Sequence, residues 1–173
     1  MLHKLIIFQV LSGIAVGLLI GILDSSLHFI NFESYKILNI TTFILFFIGI
    51  YWTVVIVRDR FASGVISYGD AFKSIALTGL VASIFIGITR FVYLKYVISI
   101  DINVILNRTR DTMLAKYSLY TTEQISNRLS FIEFSYNPIV SSVLYFVYYL
   151  AFVISFALLA SLIIKRIDRN ISL

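Results

Sequence analysis

Four long apolar runs, almost free of charge, limit what this chain can fold into. Leu5 to Leu23 gives 19 residues without a charge, and Ile37 to Val57 gives 21. Ile75 to Ile98 gives 24, interrupted by Arg90 and Lys95 near its far end, and Ile139 to Ile164 gives 26. A helix crosses a bilayer with about 20 such residues, since each adds ~1.5 Å against a hydrocarbon core about 30 Å thick. The runs are apolar around their whole circumference, which suits lipid rather than a half-exposed soluble helix. Alternating segments of about ten residues, the mark of a membrane β-barrel, do not occur. The expected fold is an all-α membrane protein in one domain, residues 1–173. It has four transmembrane helices and an extracytoplasmic amphipathic helical insertion, 99–137, between the third and the fourth.

Composition closes the other routes. Residues are 60% hydrophobic and 13% charged, whereas a soluble domain carries about 25% charged residues. There is no Cys and only one Pro, which removes disulfide-stapled, zinc-thiolate and collagen-like chains. The first run has a basic start, but it exceeds the apolar core of a signal peptide and no small-x-small site follows at Leu23-Asp24-Ser25-Ser26, so it is expected to be retained.

Orientation follows from the cations. With both ends inside, the cytoplasmic pieces 1–4, 58–74 and 165–173 hold seven Lys and Arg in 30 residues. The outer pieces, 24–36 and 99–138, hold five in 53. That bias predicts cytoplasmic termini. The net charge of +5 then reads as topology and attraction to anionic lipid, not as nucleic-acid binding, because the aromatics lie in or beside the spans.

The insertion has its own periodicity. Ile102, Leu106, Met113, Tyr117 and Tyr120 fall on one helical stripe, and Ile125, Leu129, Ile132 and Tyr136 on a second. A Thr121-x-x-Gln124 capping box separates them, and Asn137-Pro138 opens the last span. Two amphipathic helices are expected. They either lie on the headgroups or cap the bundle, or their apolar face docks a partner or lines a substrate vestibule.

Within the spans, Gly13, Gly17 and Gly21 recur every fourth residue, with a matching strip at Gly79, Ser83 and Gly87. Small residues at that spacing let two helix backbones meet closely. The first span is expected to pack on the third, or on a second copy of itself. Arg90 lies about two turns from the end of its span. It snorkels to the interface beside Tyr93, Lys95 and Tyr96, pairs with Asp24 or Glu33, or meets an anionic headgroup with Lys95.

Ser63-Gly64-Val65-Ile66-Ser67-Tyr68-Gly69-Asp70 has the glycine spacing of a phosphate loop. Asp70 stands where Lys is needed and no strand precedes it, so a phosphate loop is rejected. Ser67 instead reads as an N-cap and Asp70 as a first-turn carboxylate, with Arg58, Arg60 and Lys73 nearby as a second anion contact. The aromatics heading the fourth span, Tyr145, Phe146, Tyr148, Tyr149 and Phe152, and Tyr51 with Trp52 closing the second, read as interface anchors.

Groups for catalysis are scarce. His3 and His28 lie on opposite sides of the membrane under this topology and cannot share a metal. Asp24 and His28, one turn apart, are the sole acid–base pair. No catalytic, cofactor or metal site is expected, and the chain is not expected to be an enzyme.

The second span, the charged turn with Ser63-Gly64-Val65-Ile66-Ser67-Tyr68-Gly69-Asp70-Ala71-Phe72-Lys73, the patterned insertion and Tyr136-Asn137-Pro138 together resemble an uncharacterised bacterial domain-of-unknown-function family of small four-helix integral membrane proteins. The resemblance implies a bacterial inner membrane and this architecture, and no activity. The expected role is a non-enzymatic accessory or scaffold subunit, with membrane lipids and a membrane protein partner or a homo-oligomer as its contacts. It would serve envelope lipid or glycan assembly. The alternative is a small oligomeric transporter of lipid or amphipathic substrate.

Overall fold

The computed structural model describes residues 2–26, 32–97, 102–116 and 121–165, and the elements in them are helices. These are α1 (Leu2–Ser26), α2 (Phe32–Phe61), α3 (Tyr68–Val92), α4 (Ile102–Lys116), α5 (Thr122–Tyr136) and α6 (Pro138–Ile164). A π-helical turn, Tyr93–Val97, prolongs α3. Four segments are long and apolar enough to cross a membrane: His3–Ser26, Asn39–Phe61, Tyr68–Val97 and Pro138–Ile164. The chain is thus built as a multi-pass membrane protein.

Local chemistry sets the helix ends. Ser63 and Gly64 take left-handed φ values of 53° and 83° after α2, and the Gly64 N–H reaches back to the Arg58 carbonyl at 2.9 Å. The glycine of the rejected phosphate loop is therefore a helix stop, at a backbone conformation that Gly tolerates best. Ser67 then accepts the Asp70 N–H at 3.1 Å, which starts α3 well before the apolar run at Ile75. Thr121 and Gln124 close both halves of a capping box on α5. Asn137 accepts two N–H groups from α6, with Pro138 in its first turn.

The central helix is α3, which meets α1 on one face and α6 on the next. Gly13 and Gly17 of α1 seat on Thr78, Val81, Ala82 and Phe85, and Gly21 seats on Thr89. A methyl group on Gly17 would stand 2.5 Å from the Ala82 carbonyl oxygen, so the two backbones touch there. The strip matched to it in the sequence turns elsewhere: Gly79 receives Val153, and Gly87 lies under Ser142 and Phe146, all from α6. Ser83, fully buried, closes on its own helix by donating to the Gly79 carbonyl at 2.8 Å. One residue turns a helix by about 100°, so stripes 78/82/85/89 and 79/83/87 serve two different neighbours. α1 packs on α3 within one chain, but through the adjoining stripe.

The aromatics of α6 are a further correction. Rather than forming only an interface belt, they ladder with α2. Phe43 meets Phe152 edge-on at 4.9 Å, Phe46 meets Tyr149 at 5.0 Å, and Phe47 meets Phe156 at 4.6 Å. Tyr149 is buried and Tyr51 half-buried, while Tyr148 and Trp52 stay outside. The α2–α6 seam is built from rings and the α1–α3 seam from glycines.

Among the described residues, the insertion's main contacts are within itself and at the start of α6. α4 and α5 pack on each other, with Leu106, Ile125 and Leu129 around a shared cleft, and α5 joins the rest of the chain at the start of α6. α5 buries no residue. The side chain of Ile102, and Tyr117 and Tyr120 entirely, lie outside the described residues.

Candidate functional site

Polar groups gather at the two ends of the bundle. At the end where α1 and α3 finish and α6 begins, Arg90 turns inward. It is 8% exposed, its Nε donates to the Ser141 hydroxyl at 3.3 Å, and its guanidinium carbon lies 4.6 Å from the centre of the Tyr145 ring. Asp24, 6% exposed at the end of α1, lines a cavity that Tyr145 also lines. Tyr93 is buried in the next turn of α3. Arg90 is thus held within the bundle, where Ser141 of α6 gives it a hydrogen-bond acceptor and Tyr145 a ring face. His28 lies outside the described residues, as does the Glu33 side chain, so the acid–base pair and the second suggested partner have no described geometry.

Beside this cluster is a cavity of about 510 Å³ between the ends of α1, α2 and α6. Asp24, Asn39, Tyr145, Tyr148 and Tyr149 line it with two aliphatic residues, and Arg90 does not. Among the described lining residues the acid is Asp24, in the company of three tyrosines. Such a wall suits a cationic or amine-bearing group rather than the anion expected for Arg90.

At the other end, a cavity of about 470 Å³ lies between the start of α1, the end of α2 and the start of α3. Its floor is a buried hydrogen bond from the Gln9 amide nitrogen to the Ser74 hydroxyl, 2.8 Å long. Asp70 and Lys73 stand on its wall. Arg58 is held by Asp59 at 2.7 Å and Arg60 is exposed, so the three cations grouped in the sequence do not converge on one anion site. Lys95 stands apart from Arg90, exposed, with its ammonium over Phe91 at 5.2 Å and Tyr96 at 5.3 Å.

Among the described residues no group of three His, Cys, Asp or Glu could hold a metal ion. Several structural residues escaped the sequence reading. Gln9 is the one amide in the first run and could have been flagged as polar in a span. Ser141 and Ser74 gave no such signal, because hydroxyls in spans commonly bond to their own helix. Gly49 lies isolated in the sequence, yet Val16 packs on it at a spacing a methyl group would reduce to 3.0 Å.

Fold and site together define a multi-pass helical membrane protein with a buried arginine held between α3 and α6. The chain belongs to the family described as "Protein of unknown function (DUF4199)", whose model matches residues 6–166. No curated protein and no solved structure matches the chain.

Proposed function

We propose that the protein is a non-enzymatic accessory or scaffold subunit of a bacterial inner membrane, with both termini cytoplasmic, serving envelope lipid or glycan assembly. The observation that supports this is the α4–α5 hairpin. The α5 helix is capped and pairs with α4, yet Phe131 and Phe134 remain 60% and 56% exposed, and Val104 and Leu114 are also uncovered. The four spans expose apolar side chains as well, but those helices are long and apolar enough to meet lipid, and α4 and α5 are not among them. A membrane bundle carrying an arm with uncovered apolar side chains outside its spans is the form of a subunit that holds another membrane protein.

The test is to extract the tagged full chain in mild detergent and weigh the intact complexes. A stoichiometric second membrane protein, present with the wild type and lost from Phe131→Ser/Phe134→Ser, supports the reading. Retention of that protein by the variant, or a chain that travels alone, overturns it. Orientation is tested separately: the chain has no Cys, so a Lys116→Cys variant reacts with an impermeant reagent from outside the cell only if the hairpin is extracytoplasmic.

The second reading, a carrier of amphipathic substrate, draws on the cavity at Asp24. It requires a cationic amphiphile to bind wild type in vesicles and Asp24→Asn to lose that binding while still assembling.

A further inference from the structure

Between α3 and α6 runs an apolar groove of about 410 Å³. Ile84, Ile88 and Phe91 form one wall, and Ile139, Val143 and Phe146 the other. The four aliphatic residues in those walls are exposed, so the groove opens on the face that meets lipid. Its depth comes from Gly87, where even a methyl group would come within 3.1 Å of the Ser142 carbonyl oxygen. The Ser142 hydroxyl is turned away onto the Pro138 carbonyl, leaving the lining apolar.

One end of the groove carries a charge. Phe91 closes the wall there, and the Lys95 ammonium lies 5.2 Å from the centre of its ring. Tyr96 flanks the same ammonium, and it is exposed as an interfacial tyrosine would be. The lining on α3 runs from Ile84 to Phe91, about 10 Å at ~1.5 Å per residue. Lys95 stands one turn beyond it, so Ile84 to Lys95 spans about 16 Å, half of a hydrocarbon core about 30 Å thick. The groove thus has an apolar body that takes part of one acyl chain and a cation one turn beyond its end, at headgroup level.

We propose that this groove binds one acyl chain of an anionic phospholipid whose phosphate rests on Lys95. The depth discriminates between occupants. A recess one side chain deep takes a hydrocarbon chain, whereas a helix of a second copy is about 10–12 Å across and cannot enter it. The charge discriminates between lipids, since a lysine near the membrane surface favours an anionic headgroup over a zwitterionic one. This site is independent of whatever the hairpin holds.

The test uses the full chain in vesicles of equal parts phosphatidylglycerol and phosphatidylcholine, re-extracted in mild detergent, with retained lipid counted by native mass spectrometry. The wild type is expected to keep one phosphatidylglycerol per chain, about fivefold preferred over phosphatidylcholine. Lys95→Gln should keep a lipid but lose the preference. Val143→Trp, filling the groove from an exposed position, should lose the lipid. Ile84→Trp at the far end does the same if Val143→Trp fails to assemble. A wild type without preference, a Lys95→Gln protein that retains it, or groove-filling variants that keep the lipid would each overturn the proposal. So would efficient disulfide cross-linking between copies through a single Ile88→Cys.

Discussion

The bundle and the hairpin are made of the same element and differ in what holds them. α3 buries ten residues along two faces, while α5 buries none. In a bilayer, lipid tails are as apolar as leucine, so helices gain little by hiding grease from their surroundings. The bundle is accordingly held by close backbone contact at Gly13 and Gly17, by rings between α2 and α6, and by hydrogen bonds that cross between helices at Gln9–Ser74 and Arg90–Ser141. The hairpin has local devices: the capping box at Thr121, the Asn137 cap and its own paired stripe. Both regions leave apolar side chains exposed. Those of the bundle lie on helices long and apolar enough to meet lipid, whereas Phe131 and Phe134 of the hairpin lie outside those spans.

The largest effect should come from breaking the contacts of Arg90. Arg90→Ala removes the hydrogen bond to Ser141 and the cation over the Tyr145 ring, and it leaves a void where a buried side chain stood. Truncating a large buried side chain costs about 2–5 kcal/mol. Thermal unfolding in mild detergent, followed by the fluorescence of the single tryptophan, Trp52, should show a much lower midpoint. A variant as stable as wild type would mean that these contacts do not hold the bundle together.

A smaller effect is expected at the glycine seam. Gly17→Ala sets a methyl group 2.5 Å from the Ala82 carbonyl oxygen. Backbone cannot yield as a side-chain tip does, and overpacking of this kind costs about 1–3 kcal/mol. Gly69→Ala is the control, since its nearest neighbour is the Ser67 hydroxyl at 4.0 Å. It should leave the midpoint almost unchanged. Equal effects at the two positions would show that close approach, the feature said to separate bundle from hairpin, contributes nothing.

Much of this was legible before any coordinates, and the physics explains which parts. Helix number, the caps at Ser67, Thr121 and Asn137, and the rejection of a phosphate loop are local matters, set by residues within a turn of one another. The partner of each face is not. The strips at Gly13 and at Gly79 have the same spacing, and spacing does not tell which neighbour lies against a stripe one residue away. Arg90 was readable as an anomaly, but its direction depended on Ser141 and Tyr145, distant in sequence and ordinary in type. The cavity at Asp24 was hidden for the same reason: it joins the end of one helix to Asn39 and three tyrosines that resembled an interface belt.

The smallest effect on stability should fall on the hairpin, and there the comparison becomes sharpest. Phe131→Ser with Phe134→Ser removes two exposed rings from a helix that buries nothing. Surface changes of this kind stay within about 0.5 kcal/mol, so the unfolding midpoint should hold. If the rings cover no partner, an unchanged midpoint is the whole result. If they cover a partner, the same variant keeps its midpoint and loses the second protein from the purified complex. Stability and assembly then separate on one substitution, as they should where the exposed rings lie outside the spans. A midpoint that fell as far as in Arg90→Ala would place those rings in the core instead, and the contrast between bundle and hairpin would collapse.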